Sequence, residues 1–444
     1  MTDEPEVLFE HRGAIGLITL NRPKALNALT HGMCLSMKAQ LDEWARTASV
    51  KAVVIRGSSE KAFCAGGDIR ALYESGKNGT PYALDFYRDE YRLDATIKHF
   101  PKPYIALIRG IVMGGGVGVS VHGSHRVADE STVFAMPETG IGLFPDVGGS
   151  YFLPRCPGDI GMYLALTGAR LKTVDALYAG VATHFVRAAD WDTLIEELVA
   201  GRAPNDAVNR AGESLPPGFL AEHRDAIDRN FSKNSVEEIL AALDADHTDW
   251  SRDTAKTMRT KSPTSLKLAF RQNREGKKLE FDDCMRMEYR MVNRVVAGHD
   301  FYEGVRATII DKDGAPNWSP AELSGVSEAD VDAYFAPLPG DFDAQGLLFR
   351  KLVQIDASHW KNVLDFYDAL LAALGAPHWH GRNINALIDS MVYGNINAIE
   401  APYKIQVTGT AHIPAEVQQE LTFVVLAIGE AQGGNSDIEF EICP

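Results

Sequence analysis

The chain has 444 residues, of which 45% are hydrophobic and 23% are charged, and its formal net charge is −16 with a pI of about 5.3. This composition is typical of a globular protein, and the length predicts two or three domains. The acidic charge argues against a nucleic-acid backbone as the main partner, although local cations and helix N-termini can still hold a small anionic ligand.

Cysteine usage and the N-terminal segment bear on the compartment. The five cysteines form no CxxC pair, which argues against a disulfide framework or structural zinc and indicates a reducing compartment. The N-terminal segment MTDEPEVLFEHRG is acidic and lacks an apolar h-region, so it does not resemble a secretory signal. No run of about 18 apolar residues predicts a membrane span. We therefore expect a cytoplasmic protein.

The first third of the chain alternates strand and helix signals. VLFEHRGAIGLITLN predicts a hairpin with Gly13 and Gly16 at its turn. LTHGMCLSMKAQLDEWARTAS has apolar residues at helical spacing and predicts an amphipathic helix. KAVVIRG, KPYIALIRG and STVFAMPE predict buried strands. This alternation predicts α/β layers with ligand-binding loops at the strand ends.

From about Asp159 the pattern is mostly helical. The predicted helices are GMYLALTG, TVDALYAG, WDTLIEELVA, VEEILAALDAD and SPTSLKLAFRQNREG. In the last of them, Ser262 is the expected N-cap and Pro263 the first helical residue.

A composition break at FAPLPGDFDAQG, residues 335–346, predicts a linker, because it combines two prolines, two glycines and polar residues. Beyond it, KLVQIDA, YKIQVTG and DIEFEI predict strands, and WKNVLDFYDALLAALG and PAEVQQELTFVVLAIGEAQ predict helices. About 100 residues with their own strands and helices can form a separate small domain. We therefore expect domains over residues 1–340 and 349–444.

Two glycine-rich segments follow predicted strands and offer backbone N–H groups to an anion. KAFCAGGDIRALY follows KAVVIRG, and its Gly67 has no Cβ to block a substrate. GIVMGGGVG follows KPYIALIRG and opens a predicted helix, where N–H groups lie at the positive end of the helix dipole. Gly67 and Gly115 are therefore candidate donors to one developing oxyanion. Either segment alone is also explained as a turn that serves packing.

The segment AMPETGIGLFPDVGGSYFLPR adds a pair of carboxylates, Glu138 and Asp146. Gly118, in the upstream glycine run, offers no third one. An oxyanion site served by one glutamate and one aspartate indicates cleavage of a thioester rather than hydration of a double bond. Neighbouring carboxylates raise one another's pKa, which suits proton transfer near neutral pH.

Together these segments resemble the crotonase (enoyl-CoA hydratase/isomerase) superfamily over about residues 5–340. The matching motifs are NRPKALNAL, AFCAGGDIRALY, KPYIALIRGIVMGGGVGVSVHG, AMPETGIGLFPDVGGSYFLPR and FYEGVRATIIDKDGAPNW. The resemblance implies an α/β fold, namely a crotonase-type ββα spiral with a helical C-terminal region. It also implies an acyl-CoA substrate, of which coenzyme A is a part, and no metal or redox cofactor.

The resemblance implies roles for individual residues. Gly67 and Gly115 would supply the oxyanion hole, Glu138 and Asp146 would be the catalytic carboxylates, and Glu90 would reach the acyl pocket. The residues implied to line the coenzyme A site are Lys24, Ala25, Leu26, Ala65, Asp68 and Ile69.

Gly118 and Asp146 separate two branches of the superfamily. Hydratases that resemble this chain place a second glutamate at the position of Gly118, and usually a glycine at that of Asp146. The pattern of this chain is that of the hydrolase branch, which implies hydrolysis of 3-hydroxyisobutyryl-CoA in valine breakdown. Enoyl-CoA hydratase or isomerase activity is the alternative. Whether Glu138 acts as general base or as nucleophile stays open, and so does a homo-oligomeric state.

The C-terminal segment resembles barstar, the intracellular inhibitor of barnase-type ribonucleases, over about residues 349–444. The resemblance implies a small α/β domain with a parallel sheet and an inhibitory face. The residues implied to form that face are Trp379, Gly381, Asn385, Ile388, Asp389 and Glu430.

Three departures from the barstar pattern fall on or beside this face. Asn385 stands where the family has an aspartate, Ile388 where it has a tryptophan, and His380 where it has a tyrosine. From residue 345 on, eleven acidic side chains stand against five basic ones, which suits a basic partner. The interpretations are a ribonuclease-binding module, a module for another partner of the acidic face, or a structural appendage. A protein whose main function is this binding is the non-enzymatic alternative.

Overall fold

The computed structural model describes residues 5–211, 215–338, 341–342, 351–394, 396–399, 403–432 and 438–443. The chain divides into two compact units, residues 1–336 and 337–444. The predicted domain ends at residues 340 and 349 lie outside the described residues, as does half of the predicted linker. No helix of the described residues is long and apolar enough to cross a membrane.

The described residues of the first unit contain ten strands. They are β1 (Val7–Arg12), β2 (Ile15–Leu20), β3 (Ala52–Gly57), β4 (Ala62–Cys64), β5 (Tyr104–Ile108), β6 (Ile111–Met113), β7 (His125–Ala128), β8 (Val133–Ala135), β9 (Leu171–Lys172) and β10 (His184–Phe185).

Helices α1 to α17 complete this unit. They are α1 (His31–Arg46), α2 (Ile69–Asn78), α3 (Tyr82–Lys98), α4 (Gly115–Val121), α5 (Gly149–Phe152), α6 (Ile160–Thr167), α7 (Thr173–Tyr178), α8 (Trp191–Val199), α9 (Pro204–Ala211), α10 (Phe219–Glu222), α11 (Arg224–Phe231), α12 (Val236–Asp246), α13 (Asp249–Met258), α14 (Pro263–Gly276), α15 (Phe281–Val295), α16 (Asp300–Val305) and α17 (Glu328–Phe335).

From β3 to β8, successive strands of the first unit alternate between two sheets. The order is β1-β2-β3-β5-β7-β10 in the six-stranded sheet and β4-β6-β8-β9 in the four-stranded sheet. Each of the pairs β3–β4, β5–β6 and β7–β8 therefore contributes one strand to each sheet before the chain turns into a helix or a 3-10 turn. This repeat is the ββα spiral that the sequence predicts, and the α/β fold class is confirmed.

The first hairpin corrects one detail of the sequence analysis. The register pairs Arg12 with Ile15, so the turn consists of Gly13 and Ala14. Gly16 lies inside β2 and not in the turn. A Cβ there would lie 2.4 Å from the Trp44 ring, so this glycine makes room for a side chain of α1.

The helical region contains one element confirmed by its cap and one that sequence reasoning missed. In α14, the Ser262 side chain accepts a hydrogen bond from the Ser265 amide and Pro263 is the first helical residue, as predicted. Helix α3 was not predicted, because the segment DFYRDEYRLD is rich in charged residues that favour an exposed position. Several of these charges are buried in the structure, as the site below shows.

In the described part of the second unit, the chain forms a three-stranded parallel sheet and three helices. The strands, in sheet order, are β11 (Lys351–Asp356), β12 (Tyr403–Thr408) and β13 (Ile438–Ile442). The helices are α18 (Val363–Leu374), α19 (Ile384–Met391) and α20 (Ala415–Ala431). Apolar side chains from both kinds of element form one core, so this unit buries a core of its own.

Candidate active site

Three neighbouring strands of the four-stranded sheet bring the candidate site together. β4, β6 and β8 are adjacent and parallel. The carboxyl ends of parallel strands lie at one edge of a sheet, so the segments that follow them lie side by side. Gly67 follows β4, Gly115 follows β6, and Glu138 follows β8. One sheet edge therefore gathers the two predicted oxyanion glycines and the predicted glutamate.

The backbone amides of Gly67 and Gly115 are free to bind an oxyanion. A Cβ built on Gly115 would lie 3.3 Å from the Gly67 nitrogen, so the two residues are close neighbours. Gly115 is the first residue of α4, where N–H groups have no intrahelical acceptor. Among the described residues neither amide donates a hydrogen bond. Two unpaired donors from two chain segments therefore converge.

A small cavity of about 80 Å³ lies at these amides. A water-sized group needs roughly 10–15 Å³ of such space, so the cavity has room for a short acyl group. Its carboxyl groups are those of Glu90, Glu138 and Asp146. Its apolar lining consists largely of Ile69, Leu72, Phe86, Met113, Ile141 and Leu143. The cavity thus combines an oxyanion hole, carboxylates and a mostly apolar wall.

Glu138 faces the cavity from the first position of a 3-10 turn, Glu138–Ile141. A Cβ on Gly114 would lie 3.5 Å from its Oε1, and its Oε2 has no hydrogen-bond partner among the described residues. Burial raises the pKa of Glu138 well above its usual range and Asp146 raises it further, whereas Lys261 lowers it. Its free oxygen is suited to accept a proton from water or to attack a carbonyl.

Asp146 is buried on another wall of the same cavity. The Tyr91 hydroxyl donates a hydrogen bond to its Oδ2 at 3.0 Å. Burial raises the pKa of Asp146 to about 7, although the hydrogen bond from Tyr91 opposes the shift. A carboxyl group with such a pKa can hold or release a proton at neutral pH.

Helix α3 contributes two further buried carboxyl groups, Glu90 and Asp94, one helical turn apart. Among the described residues, Oε1 of Glu90 and both carboxyl oxygens of Asp94 have no hydrogen-bond partner. Burial and the neighbouring carboxylates raise the pKa of both groups well above the usual range. A buried carboxyl group without a partner is favoured in its neutral form, so Glu90 and Asp94 are favoured in their protonated forms. Sequence reasoning found Glu90 and missed Asp94.

Two helices from the C-terminal half hold the loop that carries Asp146. The Gln272 side chain of α14 donates a hydrogen bond to the Pro145 carbonyl at 2.6 Å. Glu288 of α15 accepts hydrogen bonds from the Gly148 amide and the Ser150 amide, each at 2.8 Å, and from the Ser150 hydroxyl at 2.5 Å. These contacts span more than 120 residues of sequence, and no local signal marked Gln272 or Glu288.

We expect Glu288→Gln to destabilise the first unit. An amide has one acceptor oxygen, so at least one of the three donors at Gly148 and Ser150 loses its partner, which costs about 1–3 kcal/mol. Denaturant unfolding of the first unit measures the loss, with Glu280→Gln, an exposed position at the start of α15, as the control. Equal stability of both variants would contradict this role of Glu288.

The predicted coenzyme A residues come from two segments that meet beside the cavity. The Ala65 amide donates a hydrogen bond to the Leu26 carbonyl at 3.0 Å. Ala65 and Ile69 line the cavity, and Lys24 is exposed. The exposed Ala25 lies between Lys24 and Leu26 in the 3-10 turn Pro23–Ala25.

The Asp68 carboxylate, by contrast, already has structural partners. It caps α2 through the Ala71 amide at 3.4 Å and pairs with Arg22 at 3.0 Å. Its side chain therefore stabilises the loop that presents Gly67, which is a role the sequence did not indicate.

Gly118 lies on the face of α4 that contacts α3. A Cβ at this position would lie 2.6 Å from Oδ1 of Asp94 and 2.9 Å from the Val147 Cβ. Any larger side chain at 118 must displace a buried carboxyl group and the loop beside Asp146. The space that a side chain at position 118 would need is thus already occupied by the carboxyl group of Asp94.

The predicted partner face of the second unit is partly exposed. Trp379 is 66% exposed, and Asn385, Asp389 and Glu430 are exposed as well. Asn385 and Asp389 are one turn apart on α19 and share a face. Ile388, which was expected on that face, is half-buried and contacts the core instead.

The loop before α19 is held in place by His380. This buried side chain donates a hydrogen bond from Nδ1 to the Gly381 carbonyl at 2.8 Å, and its Nε2 lies 2.7 Å from the Ser390 hydroxyl. The ring therefore joins the loop that carries Trp379 and Gly381 to the end of the helix.

Comparison with known protein families supports a division of the chain into two kinds of module. The enoyl-CoA hydratase/isomerase model matches residues 15–335, and the barstar (barnase inhibitor) model matches residues 350–442.

Similar curated proteins are 3-hydroxyisobutyryl-CoA hydrolases of mitochondria. The protein of Danio rerio is 52% identical, over 75% of this chain and 90% of that protein, and the protein of Homo sapiens is 47% identical, over 75% and 89%. The predicted cytoplasmic location is wrong, because it conflicts with these mitochondrial relatives.

Solved structures of this fold include a carnitinyl-CoA dehydratase from Mycobacterium thermoresistibile and an enoyl-CoA hydratase from Rhodobacter sphaeroides 2.4.1. The first has a TM-score of 0.74 at 42% identity and covers 77% of this chain and all of that chain. The second has a TM-score of 0.72 at 40% identity and covers 76% and 99%. The chain therefore belongs to the enoyl-CoA hydratase/isomerase family and carries a barstar domain at its C-terminal end.

Proposed function

We propose that the first unit hydrolyses the thioester of 3-hydroxyisobutyryl-CoA to 3-hydroxyisobutyrate and coenzyme A. The single observation that carries the chemistry is the pair of unpaired amides, Gly67 and Gly115, beside two buried carboxylates, Glu138 and Asp146. The identity of about 50% to hydrolases of that name supports the substrate. The proposed reaction uses groups of the chain and water, and it requires neither a metal nor a redox cofactor.

The thioester carbonyl is proposed to lie with its oxygen between the two amides. Attack on the carbonyl carbon transfers negative charge to that oxygen, and fixed N–H donors stabilise the charge without reorganisation. One such donor contributes about 3–4 kcal/mol to transition-state stabilisation. Since the side chains around the amides are largely buried, these hydrogen bonds are stronger than they would be in solution.

Glu138 and Asp146 are proposed to share the proton transfers. Ionised Glu138 accepts a proton from the attacking water, or it attacks the carbonyl itself and forms a mixed anhydride that water later hydrolyses. Asp146, with its pKa raised to about 7 by burial, can give a proton to the departing thiolate or hold the substrate hydroxyl. The neutral carboxyl group of Glu90 lines the acyl end of the cavity.

The test measures free-thiol release from 3-hydroxyisobutyryl-CoA and hydration of crotonyl-CoA in parallel. Thiol release without hydration would support the hydrolase. Hydration without thiol release would overturn it in favour of the alternative, which the similar dehydratase and hydratase of known structure suggest. The space beside Gly118 disfavours that alternative, because Asp94 leaves no room there for a second glutamate.

We expect Asp146→Asn to shift the pH dependence of thiol release. The negative charge of Asp146 is the second cause, after burial, of the raised pKa of Glu138. Its removal lowers that pKa, so the rising limb of kcat/KM against pH should move to lower pH, whatever happens to the maximal rate. Asp85→Asn, a partly exposed position on α3 paired with Arg88, is the control. A rising limb at the wild-type pH in Asp146→Asn would contradict the electrostatic link.

For the second unit, we propose that its acidic face binds a basic protein of the barnase-type ribonuclease class. The barstar model supports this class of partner. The exposed Trp379 supports it physically, because tryptophan is enriched in interface hot spots, and the exposed Asp389 adds a carboxylate for a basic partner. The excess of acidic side chains favours association with a positively charged surface.

We expect Asp389→Ala to weaken such a complex. Loss of a hot-spot residue costs at least about 2 kcal/mol, or roughly a thirtyfold change in Kd. Calorimetric titration of the full chain with a barnase-type ribonuclease measures it, with Glu416→Ala, which removes an exposed carboxylate at the start of α20, as the control. Absence of heat with the wild-type chain would contradict the proposed partner.

A further inference from the structure

A second cavity lies on the other side of the turn that carries Glu138. Its volume is about 580 Å³, which is in the usual range for small-molecule sites. Pro137 lines both this cavity and the small acyl cavity, so the two share a wall. Nothing in the proposed hydrolysis uses this space.

Aromatic rings from three helices form one side of the second cavity. Phe219 and His223 are stacked with ring centroids 4.0 Å apart, and His223 lies 5.7 Å from Trp250. The Tyr163 ring follows at 6.1 Å from Trp250. Phe219 is 40% exposed although it is a large apolar residue. A partly exposed stack of this kind offers a face on which a further planar ring can lie.

Two cations that have no hydrogen-bond or ion-pair partner among the described residues line the same cavity, and the charge of one of them, Lys261, also acts on Glu138 through space. The Lys261 ammonium and the Arg170 guanidinium make no hydrogen bond or ion pair within the described part of the chain. Lys267, six residues further on in α14, does have partners. Its ammonium pairs with Glu237 at 2.9 Å and donates a hydrogen bond to the Val326 carbonyl at 2.8 Å. Lys261 is moreover partly buried, and burial lowers its pKa. A desolvated cation with no partner gains free energy when it binds an anion.

Between the rings and the cations, the cavity offers groups that bind hydroxyls. Asp253 is exposed at the cavity and can accept hydrogen bonds, and Thr254 and Thr257 of the same helix can donate or accept them. A ring platform, hydrogen-bonding groups and unpaired cations therefore occur together.

We propose that this second cavity is a binding site for a nucleoside phosphate. The base stacks on the Phe219–His223 pair beside Trp250, the sugar hydroxyls face Asp253, and the phosphate pairs with Lys261 and Arg170. The nucleotide end of coenzyme A has the same chemistry as a free nucleotide. The predicted coenzyme A residues, from Lys24 to Ile69, lie in other segments of the chain, which favours the free nucleotide as the occupant.

Occupancy should reach the active site through the shared turn. A Cβ on Gly140, two residues after Glu138, would lie 3.4 Å from the Lys261 ammonium nitrogen. The Ser262 amide donates a hydrogen bond to the Thr139 carbonyl at 3.2 Å. A phosphate drawn to Lys261 therefore contacts the segment that positions Glu138, and we expect it to change kcat rather than to compete with coenzyme A.

The test is calorimetric titration of the full chain with adenosine monophosphate, adenosine and inorganic phosphate. We expect one molecule of adenosine monophosphate to bind per chain, and at least tenfold weaker binding of adenosine and of phosphate alone. Lys261→Met and Phe219→Ala should each weaken nucleotide binding at least tenfold. Lys24→Met, at the predicted coenzyme A site, is the matched control and should leave it unchanged.

Several outcomes would overturn the proposal. One is absence of nucleotide binding to the wild-type chain, and another is wild-type affinity in both cavity variants. Loss of binding in Lys24→Met, or displacement of the nucleotide by coenzyme A, would place the nucleotide in the coenzyme A site instead. If thermal unfolding shows that Lys261→Met does not fold, Arg170→Met, which changes an exposed side chain, replaces it.

Discussion

Glu138→Ala should lose thiol release from 3-hydroxyisobutyryl-CoA almost completely, with kcat lower by about 10²- to 10⁴-fold if Glu138 is the general base. A larger loss is expected if Glu138 is the nucleophile, because the covalent intermediate then cannot form. The variant should fold normally, since it removes a buried carboxyl group whose Oε2 has no hydrogen-bond partner among the described residues. Free-thiol assays beside circular dichroism measure both properties.

Two controls sharpen the Glu138 experiment. Glu60→Ala removes a carboxylate whose side chain is 87% exposed and should retain the wild-type rate. Mass spectrometry of acid-quenched wild-type enzyme distinguishes the two roles, because only a nucleophile leaves an acyl group on Glu138. Wild-type kcat in Glu138→Ala would remove this residue from the mechanism and leave Asp146 as the candidate base.

Gly115→Ala is expected to have the second largest effect. The added Cβ would lie 2.3 Å from Oε1 of Glu90 and 3.3 Å from the Gly67 nitrogen, so either Glu90 or the start of α4 must move. Movement of one oxyanion donor lowers kcat by about 10²- to 10³-fold. Steady-state kinetics measure this loss, which should appear in kcat more than in KM, since the donor acts mainly in the transition state.

A second helical glycine provides the control for Gly115→Ala. Gly32 lies in the first turn of α1, and a Cβ there meets only the Thr30 hydroxyl, at 3.9 Å. Gly32→Ala should keep the wild-type kcat and gain up to about 1 kcal/mol of stability from the better helix former. An unchanged kcat in Gly115→Ala would contradict the proposed oxyanion hole.

The oxyanion glycines and the Glu138–Asp146 pair were predicted from local signals that do not depend on tertiary contacts, whereas Glu90, the coenzyme A residues and the barstar-like face were implied by the family resemblances. Gly67, Gly115 and Glu138 each follow a segment that reads as a strand, and strand ends are where α/β proteins place ligand loops. The barstar-like unit was equally readable, because strand and helix patterns restart after a proline- and glycine-rich segment. Both family assignments and the α/β fold class are confirmed by the comparisons.

The sequence could not show how these loops meet. The glycine loops were attributed to the strands KAVVIRG and KPYIALIRG, which are β3 and β5 of the six-stranded sheet. In the structure, the short strands β4 and β6 intervene, and it is their parallel alignment with β8 that brings the loops together. β4 and β6 have only three residues each, and their short apolar runs were not distinguished from the glycine-rich segments that follow them.

Tertiary packing likewise determines which side chains surround the proposed catalytic carboxyl groups. Tyr91, Asp94 and Glu288 resemble ordinary polar positions of amphipathic helices, yet all three are buried around Asp146 or Gly118. Local sequence determines which groups can do the chemistry, because residue type and turn propensity act over a few positions. Only the packing of distant helices determines which charges lose their water, and that loss of water sets their pKa values and positions.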